Sequence, residues 1–387
     1  MKNEMKKIVL VLFVLCAFEA HAQSLGGEIV RKKEKPTLRS AWSSSFADTH
    51  THTKVAYKRV DKHLKVTNVD YNMYSEALKV EADKGNVSAQ YALSKVYAQG
   101  LGIEVDEKKA HYYLMEALNR NYPAAQYTWG RLLQMGASGV EQNKEEGHKY
   151  LQMAADKEYK DAYYYLGNDY YFGNGTSINY QKAIVYLEKS AIENNSYALY
   201  RLGAIYDIGQ GVASNPTKAF EYLMKSAMLN NADAQATVGK FYLYGRAVGK
   251  NEEKAFEWFT QSANNGSLEG NHWLAVCYNE GLGVERNPKE AFKRYTLSAE
   301  QGFAESQVRL GIHYMCGDDV APKDVKKAIG YFISSANQGN ALAQYCLGES
   351  YLDGSVGEVD KYKAKVWLQK AAAQGEQHAI EALNNLK

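Results

Sequence analysis

"AQGLGIEVDEKKAH" spans Ala98 to His111, and "NEGLGVERNPKEAF" spans Asn279 to Phe292. Both share a glycine pair, a small apolar residue, an Asp or Asn, then a charged run into Ala. Such a phrase could be a phosphate loop, a metal loop or structural punctuation. A phosphate loop needs a preceding strand and Gly-x-x-x-x-Gly-Lys-Ser/Thr, which no copy has. The period decides the matter. The leading glycine recurs at positions 100, 136, 173, 209, 245, 281, 317 and 354, at intervals of 36 or 37 residues. A fixed period of this length marks a stacked repeat array.

Each repeat reads as two helices. Six residues before the glycine stands a small residue: Ser94, Gly130, Gly167, Gly203, Gly239, Ala275, Gly311 or Gly348. Three residues after that comes Tyr97, Tyr170, Tyr206, Tyr242, Tyr278, Tyr314 or Tyr351, with Leu133 as the exception. This spacing predicts a first helix. The leading glycine predicts its left-handed stop. Asp106, Asn143, Asn179, Asn215, Asn251, Asn287, Asp324 and Asp360 predict the cap of a second helix. Pro216 and Pro288 follow two of these caps, where a missing N–H costs nothing. Ala110, Gly147, Ala183, Ala219, Ala255, Ala291, Ala328 and Ala364 come four residues after the caps and allow close approach. The expected fold is all-α: a right-handed α-solenoid of helix-turn-helix repeats, each about 36 residues long. "MYSEALKVEADKGN" (Met73 to Asn86) is expected to cap its start and "EQHAIEALNNLK" (Glu376 to Lys387) its end.

The pattern resembles the Sel-one-like repeat family, relatives of tetratricopeptide repeats, over residues 71–387. Phrases such as "ALYRLGAIYDIGQGVASNPTKAFEYLMKSA" and "AQYCLGESYLDGSVGEVDKYKAKVWLQKAAAQG" carry the resemblance. It implies an adaptor that holds protein partners, and several exported bacterial members act in the envelope or at host contact. One exported branch, with paired cysteines in each repeat, is linked with binding or hydrolysing β-lactams. This chain lacks those pairs.

The 387-residue chain carries 46 Lys+Arg against 44 Asp+Glu, so no strong field points to nucleic acid or an anionic membrane. Lys2, Lys6 and Lys7, the apolar run "IVLVLFVLCAF" (Ile8 to Phe18) and the small residues Ala20 and Ala22 predict a signal peptide over residues 1–22. A soluble periplasmic protein is the favoured expectation, with secretion the alternative. Cys277, Cys316 and Cys346 remain after cleavage, an odd number that allows at most one internal bridge. Residues 23–70 hold ten Lys/Arg against five Asp/Glu and show no repeat, which predicts a polar, basic arm. Asp48, His50 and His52 alternate there and could share one face of a strand as metal ligands. A solvated arm with histidines by chance is the simpler reading, and no metal or cofactor is assigned.

No Ser-x-x-Lys, Gly-x-Ser-x-Gly or His-Glu-x-x-His motif occurs, so no enzyme is predicted. Partner-binding residues are instead sought opposite the apolar stripe of each first helix. Three residues before the small residue this face offers Tyr91, Tyr127, Tyr164, Tyr200 and His272. One residue after it come Lys95, Arg131, Asn168 and Lys240. Further along lie Tyr171 and Asp207, then Phe172 and Tyr244. Tyr and Arg dominate binding hot spots because they join large rigid area to hydrogen bonding. "DAYYYLGNDYYFGNG" (Asp161 to Gly175) is the densest patch, with Tyr171 and Phe172 the strongest candidates. The expected role is an exported scaffold: a regulator, an assembly factor or a toxin-neutralising immunity protein. A β-lactam or peptidoglycan-fragment binder or hydrolase and a secreted host-interaction factor are the alternatives.

Overall fold

The computed structural model describes residues 71–386, apart from 102, 137 and 138. The expected signal peptide, the basic arm and the Asp48, His50 and His52 trio lie outside the described residues. Eighteen helices and no strand occur among the described residues. The chain divides into two units, Met1–Leu229 and Asn230–Lys387. The N-terminal unit holds α1 (Tyr71–Asp83), α2 (Val87–Gln99), α3 (Glu107–Asn119), α4 (Pro123–Met135), α5 (Lys144–Asp156), α6 (Asp161–Phe172), α7 (Tyr180–Ile192), α8 (Ser196–Ile208) and α9 (Pro216–Met228). The C-terminal unit holds α10 (Ala232–Tyr244), α11 (Glu252–Asn264), α12 (Leu268–Glu280), α13 (Pro288–Glu300), α14 (Ala304–Cys316), α15 (Val325–Asn337), α16 (Ala341–Leu352), α17 (Lys361–Ala372) and α18 (Gln377–Asn385). From α2 to α17 they pair as hairpins, so the fold is an all-α solenoid of repeats about 36 residues long.

The second helices start where the Asp and Asn residues place them. All eight side chains accept the amide three residues on, at 2.8–3.1 Å. In six repeats that residue is Lys, and its ammonium lies over the first-helix Tyr: Lys109 on Tyr97, Lys182 on Tyr170, Lys218 on Tyr206, Lys254 on Tyr242, Lys327 on Tyr314 and Lys363 on Tyr351, at 4.0–5.6 Å. Several of these tyrosines also stack flat on a second-helix ring, as Tyr170 does on Tyr186 at 5.8 Å. One residue thus ties cap, turn and helix pair together.

Six leading glycines, 100, 136, 173, 209, 245 and 281, stop their helices in the left-handed conformation. Two depart from expectation. Gly317 has φ 73° but an extended ψ of 134°. Asp353, not Gly354, closes α16; its carboxylate takes the Ser355 amide at 2.8 Å and holds the turn one residue earlier.

The small residues act as expected. A Cβ on Gly130 would meet the Gly147 carbonyl oxygen at 2.8 Å and Leu151 Cγ at 3.1 Å, while one on Gly147 would meet the Gly130 oxygen and Gln134 Cγ at 2.7 Å. Residue numbers rise on one helix as they fall on the other, so the pair is antiparallel. The second glycine of the phrase has a separate task. Gly175 has φ 68°, and a Cβ there would lie 2.0 Å from the Lys144 oxygen, at the start of the preceding repeat's second helix. Gly283 approaches Glu252 in the same way, at 2.2 Å. The phrase is therefore a helix stop followed by a junction between repeats.

Hydroxyls finish the stacking. Ser226 donates to the Ser196 carbonyl at 2.6 Å in the N-terminal unit. Ser262, Ser298 and Ser335 donate to the carbonyls of Ala232, Leu268 and Ala304 at 2.7–2.8 Å in the C-terminal unit. These buried hydroxyls are satisfied by backbone, so they cost little to enclose.

Candidate partner-binding face

The first helices of the N-terminal unit build the face, one helix at a time. On α2, Tyr91 is buried and its hydroxyl shares a hydrogen bond with Thr128 Oγ1 at 2.9 Å. On α4, Tyr127 is fully buried against the rings of Tyr159 and Tyr165, at 5.3 and 5.8 Å. In the C-terminal unit, His272 on α12 is buried, with Nδ1 3.0 Å from Ser306 Oγ on α14. Burial pushes its pKa down to about 4, with Arg309 adding to the fall. For these three the expected exposure does not hold. Their register turns toward the following repeat, where a large flat ring fills the gap between first helices. Tyr164 and Tyr200, at the same register, are half-buried, and the Tyr164 ring lies 6.1 Å from Tyr197.

The next register is polar. The Lys95 ammonium sits 5.6 Å from the Tyr91 ring. The Arg131 guanidinium lies 3.5 Å from the Tyr165 ring centre and donates to Gln134 Oε1 at 3.2 Å. Gln134 in turn donates to both Asp169 oxygens, at 2.9 and 2.7 Å, and His148 Nδ1 meets Asp169 Oδ2 at 2.9 Å. Burial raises the Asp169 pKa, although His148, Gln134 and Arg131 pull the other way. This network joins α4, α5 and α6 beneath the face. Asn168 is half-buried, and its Oδ1 is enclosed without a hydrogen-bond partner. Lys240 is paired with Glu269 at 2.6 Å, which ties α10 to α12.

The end of α6 is where the face opens. Phe172 is 52% exposed. Tyr171 packs edge-on against it, and its hydroxyl donates to Gln210 Oε1. The guanidinium of Arg201, on α8, lies 4.8 Å from the Phe172 ring centre and 5.1 Å from that of Tyr171. Ile208, two turns further along α8, is 67% exposed, and Tyr197 is also exposed. Tyr197, Arg201 and Ile208 are spaced by four and seven residues, so they share one stripe of α8. Asp207 is half-buried beside them, and its carbonyl accepts from Ser214 at 2.8 Å. Tyr244, in the C-terminal unit, is 64% exposed and lies edge-on to Trp273 at 6.1 Å.

Tyr164, Tyr171 and Phe172, with Asn168 on the same helix, therefore meet the next repeat: Tyr197, Arg201 and Gln210 by contact, with the exposed Ile208 further along α8. The last four were missed by the sequence reading. The register that picks out Phe172, five residues past the small residue, also picks out Ile208. Arg201 carried no such signal, because it lies two residues before Gly203, outside the registers considered.

The rest of the described residues offers little chemistry. No group of three or more His, Cys, Asp or Glu among them could hold a metal ion, and no helix among them is long and apolar enough to cross a membrane. Cys277, Cys316 and Cys346 are free thiols, and burial pushes Cys277 and Cys346 up to about 12, far from the reactive thiolate range.

The chain belongs to the Sel1 repeat family. The family's repeat pattern matches eight times in succession, at residues 87–122, 123–159, 160–195, 196–231, 232–267, 268–303, 304–340 and 341–376. The chain is similar in structure to a Sel1 repeat protein from Oxalobacter formigenes, at 25% identity and a TM-score of 0.57, covering 96% of this chain and 99% of that one. It shares its fold with a protective antigen present in uropathogenic Escherichia coli strains, at 24% identity and a TM-score of 0.59, covering 90% of this chain and 82% of the other. No curated protein matches it. Such a repeat array is a scaffold suited to protein–protein interaction.

Proposed function

We propose that the chain is an exported scaffold that holds a protein or peptide partner against the α6–α8 face of its N-terminal unit. Its role there is that of a regulator, an assembly factor or an immunity protein in the periplasm. The observation that carries the reading is the open cluster at the end of α6: exposed Phe172 under the Arg201 guanidinium, with exposed Ile208 further along the same stripe of α8. Exposed large apolar side chains grouped around a stacked guanidinium are what a contact surface requires and what a solvated surface lacks. Export rests on the basic, apolar and small-residue succession of residues 1–22.

Affinity capture tests both parts. Residues 23–387 serve as bait against envelope and secreted fractions, beside a Tyr171→Ala/Phe172→Ala variant. One dominant protein lost in the variant is the expected result. A dominant protein kept by both would move the site elsewhere on the array. Capture of nothing by either would overturn the scaffold reading. Fractionation of cells producing the full chain checks export; protein retained in the cytoplasm would overturn it.

A further inference from the structure

We propose that the α6–α8 face takes an extended peptide segment bearing an Asp or Glu carboxylate beside a large apolar side chain. The inference rests on the docking reading above and specifies its chemistry. Arg201 is the only cation in the cluster of Tyr164, Asn168, Tyr171, Phe172, Tyr197, Ile208 and Gln210. Among the described residues it forms no ion pair and no hydrogen bond. Three cations elsewhere on the array are engaged. Arg131 donates to Gln134, Lys240 is bound to Glu269, and Lys218 donates to the Tyr206 hydroxyl at 2.6 Å.

Arg201 is also held in place. Its charge rests over two rings, and its Nε is enclosed and unbonded, so the terminal amines are left to meet an anion. A guanidinium fixed over aromatic rings presents a planar fork that matches a carboxylate and loses little freedom on binding. Its surroundings narrow the ligand further. Phe172 is exposed under the guanidinium, and Ile208 is exposed two turns along the same stripe of α8, which suits an apolar side chain beside the carboxylate. A polyanion would need several cations in a row, and this cluster has one.

The test uses a displayed library of random twelve-residue peptides, with blocked C-termini, selected on residues 23–387. Enriched peptides should carry Asp or Glu beside a large apolar residue. Resynthesised with the carboxylate as its amide, they should bind at least tenfold more weakly by fluorescence polarisation. Arg201→Gln should weaken the acidic peptide to the same level and leave the amide peptide unchanged, the signature of a direct pair. In circular dichroism melts the R201Q midpoint should fall by no more than a few degrees, because only the ring contacts of Arg201 are lost, with no hydrogen bond or ion pair. Enriched peptides without acidic residues, or acidic peptides indifferent to R201Q, would overturn this inference and leave the docking reading standing. If those peptides also ignore Phe172→Ala, the site lies elsewhere. No enrichment at all would overturn both.

Discussion

The first helices α6 and α8 of the N-terminal unit and α12 of the C-terminal unit end on the same left-handed glycine, and α14 on Gly317 with an extended ψ, yet a larger difference lies at one register. Three residues before the small residue stand Tyr164 and Tyr200 in one unit, and His272 and Val308 in the other. The tyrosines are half-buried and border an open aromatic cluster; His272 and Val308 are buried. Arg201 lies over the rings of Tyr171 and Phe172, and Arg309, at the same register of α14, is exposed. The hairpins need only caps, small residues and junction glycines. The remaining positions are free to vary from repeat to repeat: at this register Tyr91 and Tyr127 are sealed in the N-terminal unit, and Tyr345 is half-buried in the C-terminal unit. Four substitutions or titrations probe that division, from the largest effect to the smallest.

The junction glycines should be the most sensitive points. Gly175→Ala combines a positive φ with a Cβ 2.0 Å from backbone, so it should lower stability by about 3 kcal/mol or more in urea denaturation. Gly302→Ala has φ 101° and nothing within 4 Å, so about 1 kcal/mol is expected. Equal losses would show that φ, not the junction contact, sets the cost. Ala247, with φ 60°, fills the Gly175 register in the C-terminal unit. Ala247→Gly should therefore be neutral or stabilise by up to about 1 kcal/mol.

Acid should separate the units next. The His272 pKa falls from 6.5 in the unfolded chain to about 4 when folded. The unfolded state thus takes the proton first. The histidine's contribution is intact above pH 6.5 and is lost as pH falls toward 4, to a total of about 3 kcal/mol. In the N-terminal unit His148 Nδ1 lies 2.9 Å from the Asp169 carboxylate. Hydrogen exchange at pH 7.5 and 5 should show α12 and α14 loosening before α5 and α6. His272→Gln should flatten the wild-type fall in melting temperature over that range. An unchanged slope would sink the assignment.

A cap substitution is a smaller, uniform control. Asn215→Ala and Asn251→Ala each remove one side-chain bond to a helix amide, at 3.0 and 2.8 Å, and should each cost about 1 kcal/mol in thermal melts. A large difference between them would mean that the units are not built from equivalent caps. Last, Phe172→Ala should change stability by less than about 1 kcal/mol, because its ring is half in solvent, while partner capture falls.

These outcomes also measure what could be read without coordinates. The second-helix caps were legible because an Asp or Asn before a charged run meets a local demand that no distant contact overrides. The first-helix caps were not singled out. Asn86, Asn195, Asn231, Ser267 and Asn340 do the same work, each after a residue of positive φ such as Gly85 or Asn194, but their spacing hides inside the turn between repeats. The face was legible only in part. Helical geometry puts Tyr91, Tyr127 and His272 at one register but could not say that the following repeat would cover it. Arg201 was invisible because its importance lies in two rings on another helix.

The junction made by Gly175 against the Lys144 carbonyl has one more consequence. Where a glycine stands at this place, as at 175 and 283, the repeat meets the start of its predecessor's second helix closely through main-chain atoms. Removal or duplication of a 36-residue block bounded by such junctions therefore brings together surfaces of the same kind. A gene built this way can lengthen or shorten its product by whole blocks through unequal crossover, and an open block such as residues 160–195 can be copied as a unit.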